Sequence, residues 1–330
     1  MKLRGPGFFI IGAPKCGTTA LAQYLSEHPN VFFCAPKEPF FWATDHPRAR
    51  SINDLHSLED YLRLFAAADS AIHRAIGEGS TTYMQSRTAI TEIQKFRPDA
   101  KFIVMLRNPV DVVHGMHGEL LRHFAEDEPS FEKAWALQED RAAGRRVPAN
   151  DRFAHQLQYR DVASFAPQLR RLFDQVPEQR RRVIIFDDFI RDTRAVYADV
   201  LNFLGLPDDG RSEFAKVNAA GNYRMQALGR LAHHPPAIMA GPIKLFRAWY
   251  IRRGGRLKQL LHRLVQKEAP RQSLSPAFRE HLKDVFRADI EETSQLLGHD
   301  LTEWTRASRP AAGVATESTV SPASSGTRGR

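Results

Sequence analysis

The first residues whose spacing predicts chemistry follow a short apolar run near the start of the chain. Gly12 and Gly17 enclose a loop that contains Lys15, and Thr18 and Thr19 come directly after it. A glycine-rich turn between a strand and a helix exposes backbone N–H groups at the positive end of the helix dipole. The sequence therefore predicts an anion site here, and the alternative is an ordinary strand-to-helix turn.

The loop departs from the one that binds nucleoside triphosphates with magnesium. That loop reads GxxxxGK[ST], whereas here Thr18 takes the lysine position and Lys15 lies inside the loop. The apolar strand predicted at residues 102–106 then ends in Arg107, where such an enzyme often places an acid for Mg²⁺. Both departures favour a nucleotide anion that side chains neutralise without a metal, and they disfavour a kinase or ATPase.

At these residues the sequence resembles the sulfotransferases that use 3′-phosphoadenosine-5′-phosphosulfate (PAPS). Residues 14–19 are similar to that family's 5′-phosphosulfate loop, and residues 106–111 are similar to its 3′-phosphate strand and turn. Further family-like runs follow in family order at residues 77–83, 159–161 and 197–206. The resemblance covers about residues 7–304.

The resemblance implies a set of nucleotide-binding residues. Lys15 should meet the bridging oxygen of the leaving nucleotide, where negative charge grows, because donors aimed at developing charge are usually the largest catalytic contribution. Arg107 should hold the 3′-phosphate with its bidentate guanidinium. The residues assigned to the 5′ end of PAPS are Pro14, Lys15, Cys16, Gly17, Thr18 and Thr19.

One position departs from the family pattern. The family commonly has a serine eight residues after that arginine as a second 3′-phosphate ligand, and this sequence has Gly115 there. The backbone N–H of Gly115 or the side chain of His114 is the expected substitute, and weaker PAPS binding is the alternative.

The acceptor side is predicted from a charged pair that opens an aromatic run. An attacking hydroxyl must lose a proton, so a general base should lie within hydrogen-bond reach of it. The run containing Lys37, Glu38, Phe41 and Trp42 resembles the element that carries this base in carbohydrate sulfotransferases. Glu38 is then the base, Lys37 shares the charge stabilisation, and Phe41 and Trp42 line the acceptor pocket. In the alternative, the aromatics are core residues and the charged pair is solvated.

Three other polar residues follow the strand predicted at residues 75–77. Glu78, Ser80 and Tyr83 are expected to contact the acceptor or the cofactor, with a capped strand-to-helix loop as the alternative. His114 and His117 are runner-up bases, and no third ligand at convincing spacing makes them a metal site. Cys16 is interpreted as a thiol of lowered pKa or as a small residue that fills space.

The elements that must position these residues alternate between strand and helix, which predicts a parallel sheet. We expect a three-layer, P-loop-like α/β fold with a central parallel sheet flanked by helices, formed by residues 1–305, and a disordered tail at 306–330. Strands are predicted at residues 8–11, 75–77, 101–106 and 182–186. Helices are predicted at 20–25, 90–96, after Pro109, and at 131–143, 161–173, 193–204 and 276–297.

The basic excess of the chain is local. Between Phe214 and Lys267 there are 11 Lys or Arg and no Asp or Glu, although the net charge of the whole chain is only +9. Such a stretch indicates a face that meets an anionic partner, or else a solvated basic helix. Residues 244–267 add aromatics, which suit anionic lipid head groups at a membrane surface or an acidic polysaccharide. No zinc-finger spacing or RNP-type platform is present, so no nucleic-acid partner is expected.

Composition sets the remaining limits. A hydrophobic content of 42% excludes a globally disordered chain. Cys16 and Cys34 are too few for a disulfide framework, and neither a signal-peptide pattern nor a bilayer-spanning apolar run is present, so we expect a cytoplasmic protein.

The sequence thus predicts a PAPS-dependent sulfotransferase that acts without a metal on an acceptor hydroxyl, on a carbohydrate or glycoconjugate such as an anionic glycan or glycolipid. The alternatives are a small-molecule P-loop kinase and a nucleotide-binding protein that has lost catalysis.

Overall fold

The computed structural model describes residues 4–215, 222–223, 266–267 and 273–306. Nearly all of the basic stretch 214–267 and of the predicted tail 306–330 therefore lies outside the described residues, and both stay predictions. Among the residues that the structure describes, no helix is long and apolar enough to cross a membrane.

Five parallel strands form the central sheet, in the order β2-β3-β1-β4-β5. They are β1 (Phe8–Gly12), β2 (Val31–Phe33), β3 (Ala75–Gly79), β4 (Lys101–Leu106) and β5 (Arg181–Ile185). All five residues of the middle strand β1 are buried, as expected for a parallel strand covered on both faces. A separate antiparallel pair joins β6 (Asn222–Tyr223) to β7 (Gln266–Lys267).

Helices connect these parallel strands and cover the sheet, which confirms the predicted α/β class. In the described part of the chain they are α1 (Thr18–Ser26), α2 (Pro47–Arg50), α3 (Leu58–Arg63), α4 (Ala89–Phe96), α5 (Pro109–Arg122), α6 (Phe131–Ala136), α7 (Gln138–Ala142), α8 (Tyr159–Ala163), α9 (Phe165–Gln175), α10 (Phe186–Arg191), α11 (Thr193–Leu204) and α12 (Pro276–Leu297).

Two segments that the periodicity predicts as single helices are each broken. The segment 131–143 forms α6 and α7, which meet at Leu137, and the segment 161–173 lies in α8 and α9, on either side of Ser164. The carboxylate of Asp289, on α12, accepts hydrogen bonds from the N–H groups of Phe165 and Ala166 and so caps α9. A cap from a residue more than 120 positions away leaves no trace in the local pattern.

The C-terminal helix α12 packs against α9 and α5, so the end of the described chain reaches the elements that follow β4. It begins at a side-chain cap, in which the hydroxyl of Ser275 accepts a hydrogen bond from the N–H of Phe278 at 3.3 Å. Beyond α12, the indole N–H of Trp304 donates to Asp187 at 2.8 Å. The residues after α12 are therefore held close to the start of α10, which follows β5.

Candidate active site

The candidate site lies along the carboxyl edge of the sheet, where open α/β folds bind ligands. Adjacent strands lead to different groups at this edge: β3 to Thr81, β1 to the loop 12–17, β4 to Arg107 and β5 to Phe186. Because the strand order is β3-β1-β4-β5, these groups follow one another along the edge in the same order.

The surroundings of both loop glycines exclude a side chain. A Cβ at Gly12 would lie 2.7 Å from the Cβ of Met84, and one at Gly17 would lie 2.9 Å from the ring of Phe186. Gly17 also has a φ of 88°, in the left-handed region that favours glycine. The chain therefore turns tightly from β1 into α1, whose first N–H groups have no partner within the helix and are suited to an anion.

The remaining loop residues differ in what they can offer a ligand. Thr19 is exposed on the first turn of α1, Pro14 is half-buried, and Thr18 is buried. Cys16 is fully buried, its thiol donates to the carbonyl of Pro14 at 3.4 Å, and burial raises the pKa of that thiol. The interpretation of Cys16 as a thiol of lowered pKa is therefore wrong; its side chain fills space, which leaves only its backbone for a ligand.

Lys15 reaches across to α5. Its Nζ donates to the Oε2 of Glu119 at 2.5 Å. The stem of the lysine passes over Gly115, where a Cβ would lie 3.4–3.5 Å from Cβ, Cγ and Cε of Lys15. The position that lacks the family serine is thus the surface on which the lysine rests.

Glu119 is a site residue that the sequence analysis missed. Burial alone would raise its pKa, but the ammonium of Lys15, together with Arg122 at 3.6 Å from the carboxylate, holds the pKa of Glu119 below its ordinary value. Glu119 is therefore ionised at neutral pH. Its spacing of four residues from Gly115, which places both on one helix face, was the only signal available in the sequence.

Arg107 is held on two sides at the end of β4. Its Nη2 donates to the Oδ2 of Asp111 at 3.2 Å, and its guanidinium lies 4.8 Å from the centre of the Phe186 ring. The other oxygen of Asp111 accepts a hydrogen bond from Nη1 of Arg279, also at 3.2 Å. Arg279 belongs to α12, and the sequence analysis did not single it out.

Glu38 and Lys37 lie at the end of β3, the strand beside β1, which leads into the loop 12–17. The carboxylate of Glu38 pairs with Lys37 and accepts a hydrogen bond from the N–H of Thr81 at 2.8 Å. The backbone N–H of Glu38 donates to the carbonyl of Gly79 at 2.9 Å. A Cβ at Gly79 would lie 3.2 Å from Cε of Lys37, so the lysine stem crosses the end of β3. The side chains of Lys37 and Glu38 remain 20% and 26% exposed.

The aromatic residues after Glu38 belong to the core. Phe41 stacks on Tyr61 with ring centres 4.6 Å apart, and Trp42 packs against Tyr61 and Phe96 at 5.1 and 4.9 Å. Phe41 and Trp42 are 5% and 7% exposed. The prediction that they line an acceptor pocket is therefore wrong, and the alternative of core aromatics describes them; the charged pair beside them is partly buried rather than solvated.

The predicted contact of Glu78, Ser80 and Tyr83 with a ligand is also not what the structure shows, because all three side chains are fully buried. Glu78 accepts hydrogen bonds from Tyr61 at 2.5 Å and from Ser80 at 2.8 Å. Burial raises the pKa of Glu78 to about 7, against the lowering effect of these hydrogen bonds.

This buried network also binds the backbone of residues 40–42, which follow Glu38. The N–H of Phe40 donates to the hydroxyl of Ser80 at 3.1 Å, and the N–H of Trp42 donates to the hydroxyl of Tyr83 at 3.2 Å. Ser80 and Tyr83 thus position the chain that carries Glu38.

The runner-up bases lie on the inner side of α5. His117 is buried, its Nε2 lies 2.9 Å from the carbonyl of Glu128, and burial lowers its pKa. His114 lies half-buried near the ring of Phe131, with ring centres 5.8 Å apart. The burial of His117 excludes it as the base that meets an acceptor in this structure. Within the described residues, no group of three or more His, Cys, Asp or Glu could hold a metal ion.

Comparison with known proteins agrees with this geometry. The model of the family described as "Sulfotransferase family" matches residues 6–210. A crystal structure of a sulfotransferase from Alicyclobacillus acidocaldarius superposes with a TM-score of 0.66 at 26% identity, covering 92% of this chain and all of the other.

Two curated mammalian proteins are similar to parts of the chain. Carbohydrate sulfotransferase 15 of Mus musculus is 37% identical over 32% of this chain and 26% of its own length. Bifunctional heparan sulfate N-deacetylase/N-sulfotransferase 3 of Homo sapiens is 26% identical over 80% of this chain and 30% of its own length. The chain therefore spans about a quarter to a third of these two relatives.

Proposed function

The chain belongs to the sulfotransferase family, and from this premise we propose that it transfers a sulfuryl group from PAPS to a hydroxyl of a carbohydrate or glycoconjugate acceptor. The observation that carries the proposal is the order of groups along the sheet edge. Glu38 lies at β3, Lys15 follows β1 and Arg107 follows β4. The edge thus presents first a base, then a cation for the leaving group, and then a cation for the 3′-phosphate. This is the order in which the acceptor, the sulfuryl group and the nucleotide must meet.

The residues present fit PAPS. When bound, PAPS supplies a sulfuryl group on the bridging oxygen of a phosphosulfate, and its nucleotide carries a 3′-phosphate. The tight turn that Gly12 and Gly17 permit presents backbone N–H groups to the 5′ end. Arg107, fixed by Asp111 and Phe186, offers its remaining N–H groups to the 3′-phosphate.

Lys15 provides the charge that the leaving oxygen needs. Its ammonium is paired with Glu119, and its stem lies over the bare backbone of Gly115, so the charge is held beside the loop. A fixed donor in a partly buried site stabilises growing negative charge more than water does.

Glu38 is suited to take the proton of the acceptor hydroxyl. The N–H of Thr81 and the ammonium of Lys37 fix its carboxylate, while a quarter of the side chain stays accessible. Lys37 lies between Glu38 and the end of β3, where it supports the charge of the transferred group. The names of the two curated relatives, a carbohydrate and a heparan sulfate sulfotransferase, support a sugar as the acceptor.

Titration calorimetry with adenosine 3′,5′-bisphosphate, the expected product, against ADP tests the nucleotide. We expect binding of the bisphosphate that does not require Mg²⁺. A preference for ADP with Mg²⁺ would overturn the proposal in favour of a kinase.

Transfer of radiolabelled sulfate from PAPS to a panel of desulfated glycosaminoglycans and glycolipids then tests the reaction. Turnover should be lost in Lys15→Ala, and it should persist in Lys95→Ala, whose lysine pairs with Glu92 on the exposed side of α4. Tight bisphosphate binding without any transfer would favour the catalytically impaired binding protein.

The basic residues 244–267, which lie outside the described part of the chain, are proposed to meet an anionic acceptor or a membrane surface. Cosedimentation with phosphatidylserine vesicles, compared with phosphatidylcholine vesicles, tests the second of these partners. The cytoplasmic location stays a proposal, which imaging of the tagged full chain in its host would check.

A further inference from the structure

The structure contains a second arginine at the place assigned to the 3′-phosphate. Resting on the proposed function, we propose that Arg279 of α12 is a 3′-phosphate ligand beside Arg107, and that it takes the role of the hydroxyl that the chain lacks at Gly115. The assignment depends on one carboxylate, that of Asp111, which holds both guanidinium groups.

Asp111 joins two elements that are far apart in the sequence. Its Oδ2 accepts from Arg107 and its Oδ1 accepts from Arg279, each at 3.2 Å. One carboxylate therefore brings the two guanidinium groups to the same place, one at each of its oxygens. Arg107 and Arg279 are 30% and 31% exposed, so both can still be reached by a ligand.

The charges of this group leave a site for an anion. Two guanidinium groups share one carboxylate, so the cluster of Arg107, Arg279 and Asp111 carries a net positive charge. A guanidinium has five N–H donors, and the hydrogen bond to Asp111 uses one on each arginine. The other donors can form the paired, charge-assisted hydrogen bonds that phosphate oxygens accept.

The chain beyond α12 also returns to the turn at the end of β4. The side-chain amide of Asn108, which also caps α5, donates to the carbonyl of Trp304 at 3.1 Å. The indole of Trp304 in turn donates to Asp187 at the start of α10. The chain that follows α12 is therefore anchored to the same turn that presents Arg107.

One face of α5 serves the whole nucleotide site. Asp111, Gly115 and Glu119 are spaced four residues apart and so lie on the same side of the helix. Asp111 holds the two arginines, Gly115 supports the stem of Lys15, and Glu119 binds its ammonium. The carboxylate that binds both arginines thus lies one helical turn before the place where the family serine would stand.

Calorimetry with two nucleotides that differ only in the 3′-phosphate tests the proposal. Adenosine 3′,5′-bisphosphate and adenosine 5′-phosphate would be titrated into the wild type, Arg279→Ala, Arg279→Lys and Arg107→Ala. We expect Arg279→Ala to weaken bisphosphate binding about ten- to a hundredfold and to leave 5′-phosphate binding unchanged. Arg279→Lys keeps the charge without the fork and should fall between Arg279→Ala and the wild type.

Arg287→Ala is the matched control, because Arg287 is on the same helix. Within the described residues, its ion pair is a local one with Asp284. It should bind both nucleotides as the wild type does. A wild type without preference for the bisphosphate would overturn the proposed function. The role of Arg279 alone would be overturned if Arg279→Ala or Arg279→Lys kept the full preference for the bisphosphate over the 5′-phosphate while Arg107→Ala lost it.

Discussion

The ammonium of Lys15 and the carboxylate of Glu119 form an ion pair with a separation of 2.5 Å, one helical turn beyond Gly115. The lysine that is proposed to meet the phosphosulfate is therefore already paired with a carboxylate of the protein. A ligand must compete with Glu119 for this charge. On the proposed function, nucleotide affinity should therefore depend on a residue outside the loop.

Glu119→Gln should raise the affinity for adenosine 3′,5′-bisphosphate about three- to tenfold at low ionic strength, because it removes a negative charge from the neighbourhood of the bound anion. Added salt should shrink the difference. Calorimetry at two salt concentrations measures both effects, with Glu92→Gln on the exposed side of α4 as the control. Weaker binding in Glu119→Gln would show instead that the carboxylate positions Lys15.

Glu38→Gln should lower kcat about 10²- to 10⁴-fold and leave the bisphosphate Kd close to that of the wild type, because an amide keeps the hydrogen bond from Thr81 but cannot accept a proton. Steady-state kinetics with an acceptor found in the panel, together with calorimetry, separates the two quantities. Unchanged kcat would remove Glu38 from the chemistry and direct attention to other carboxylates of the site.

Gly115→Ser should fold without loss of stability, because its Cβ would meet the stem of Lys15 at ordinary contact distances of 3.4–3.5 Å. Glycine inside a helix costs about 0.5–1 kcal/mol relative to alanine, so a small gain is expected. The new hydroxyl should also strengthen bisphosphate binding.

Gly17→Ala provides the contrast to Gly115→Ser. It should destabilise the fold by about 1–3 kcal/mol, because the residue has a φ of 88° and its Cβ would overlap the ring of Phe186. Urea unfolding of both variants measures the difference. Equal stability of the two would contradict the packing described at these positions.

Glu78 should make the stability of the protein fall as pH rises from about 4.5 to 7. Burial raises its pKa to about 7 in the folded state, so in this window the folded chain keeps a proton that the unfolded chain has lost. The contribution of this group amounts to at most about 1.4 kcal/mol per pH unit and ends above its folded pKa.

Glu78→Gln should remove that slope, and urea unfolding of both proteins at pH 5, 6, 7 and 8 provides the comparison. Glu92→Gln, on the exposed side of α4, should keep the slope of the wild type. Parallel curves for wild type and Glu78→Gln would mean that Glu78 ionises in the folded protein as freely as in the unfolded chain.

Local patterns predicted most of the elements that build the site. The strand from Lys101 to Leu106 and the helices 193–204 and 276–297 have the predicted bounds. After Lys101 the strand is a continuous apolar run, and both helices have an apolar periodicity and capped ends. The family was also readable from the motifs around Lys15 and Arg107, and the match over residues 6–210 confirms it. The breaks at Leu137 and Ser164, in contrast, depend on packing and on a cap from Asp289.

The sequence by itself determined the loop, its lysine and the arginine that ends β4, since a tight turn and a strand end are set by residues close together in the chain. Only the tertiary structure decided which side chains reach this edge. It buried Phe41 and Trp42, because the hydrophobic interior takes large rings wherever they can pack. It buried Glu78 where the hydroxyls of Tyr61 and Ser80 donate hydrogen bonds to the carboxylate. It brought Glu119 to Lys15 and Arg279 to Asp111 across 104 and 168 positions, because charged groups pair by distance in space and not by spacing along the chain.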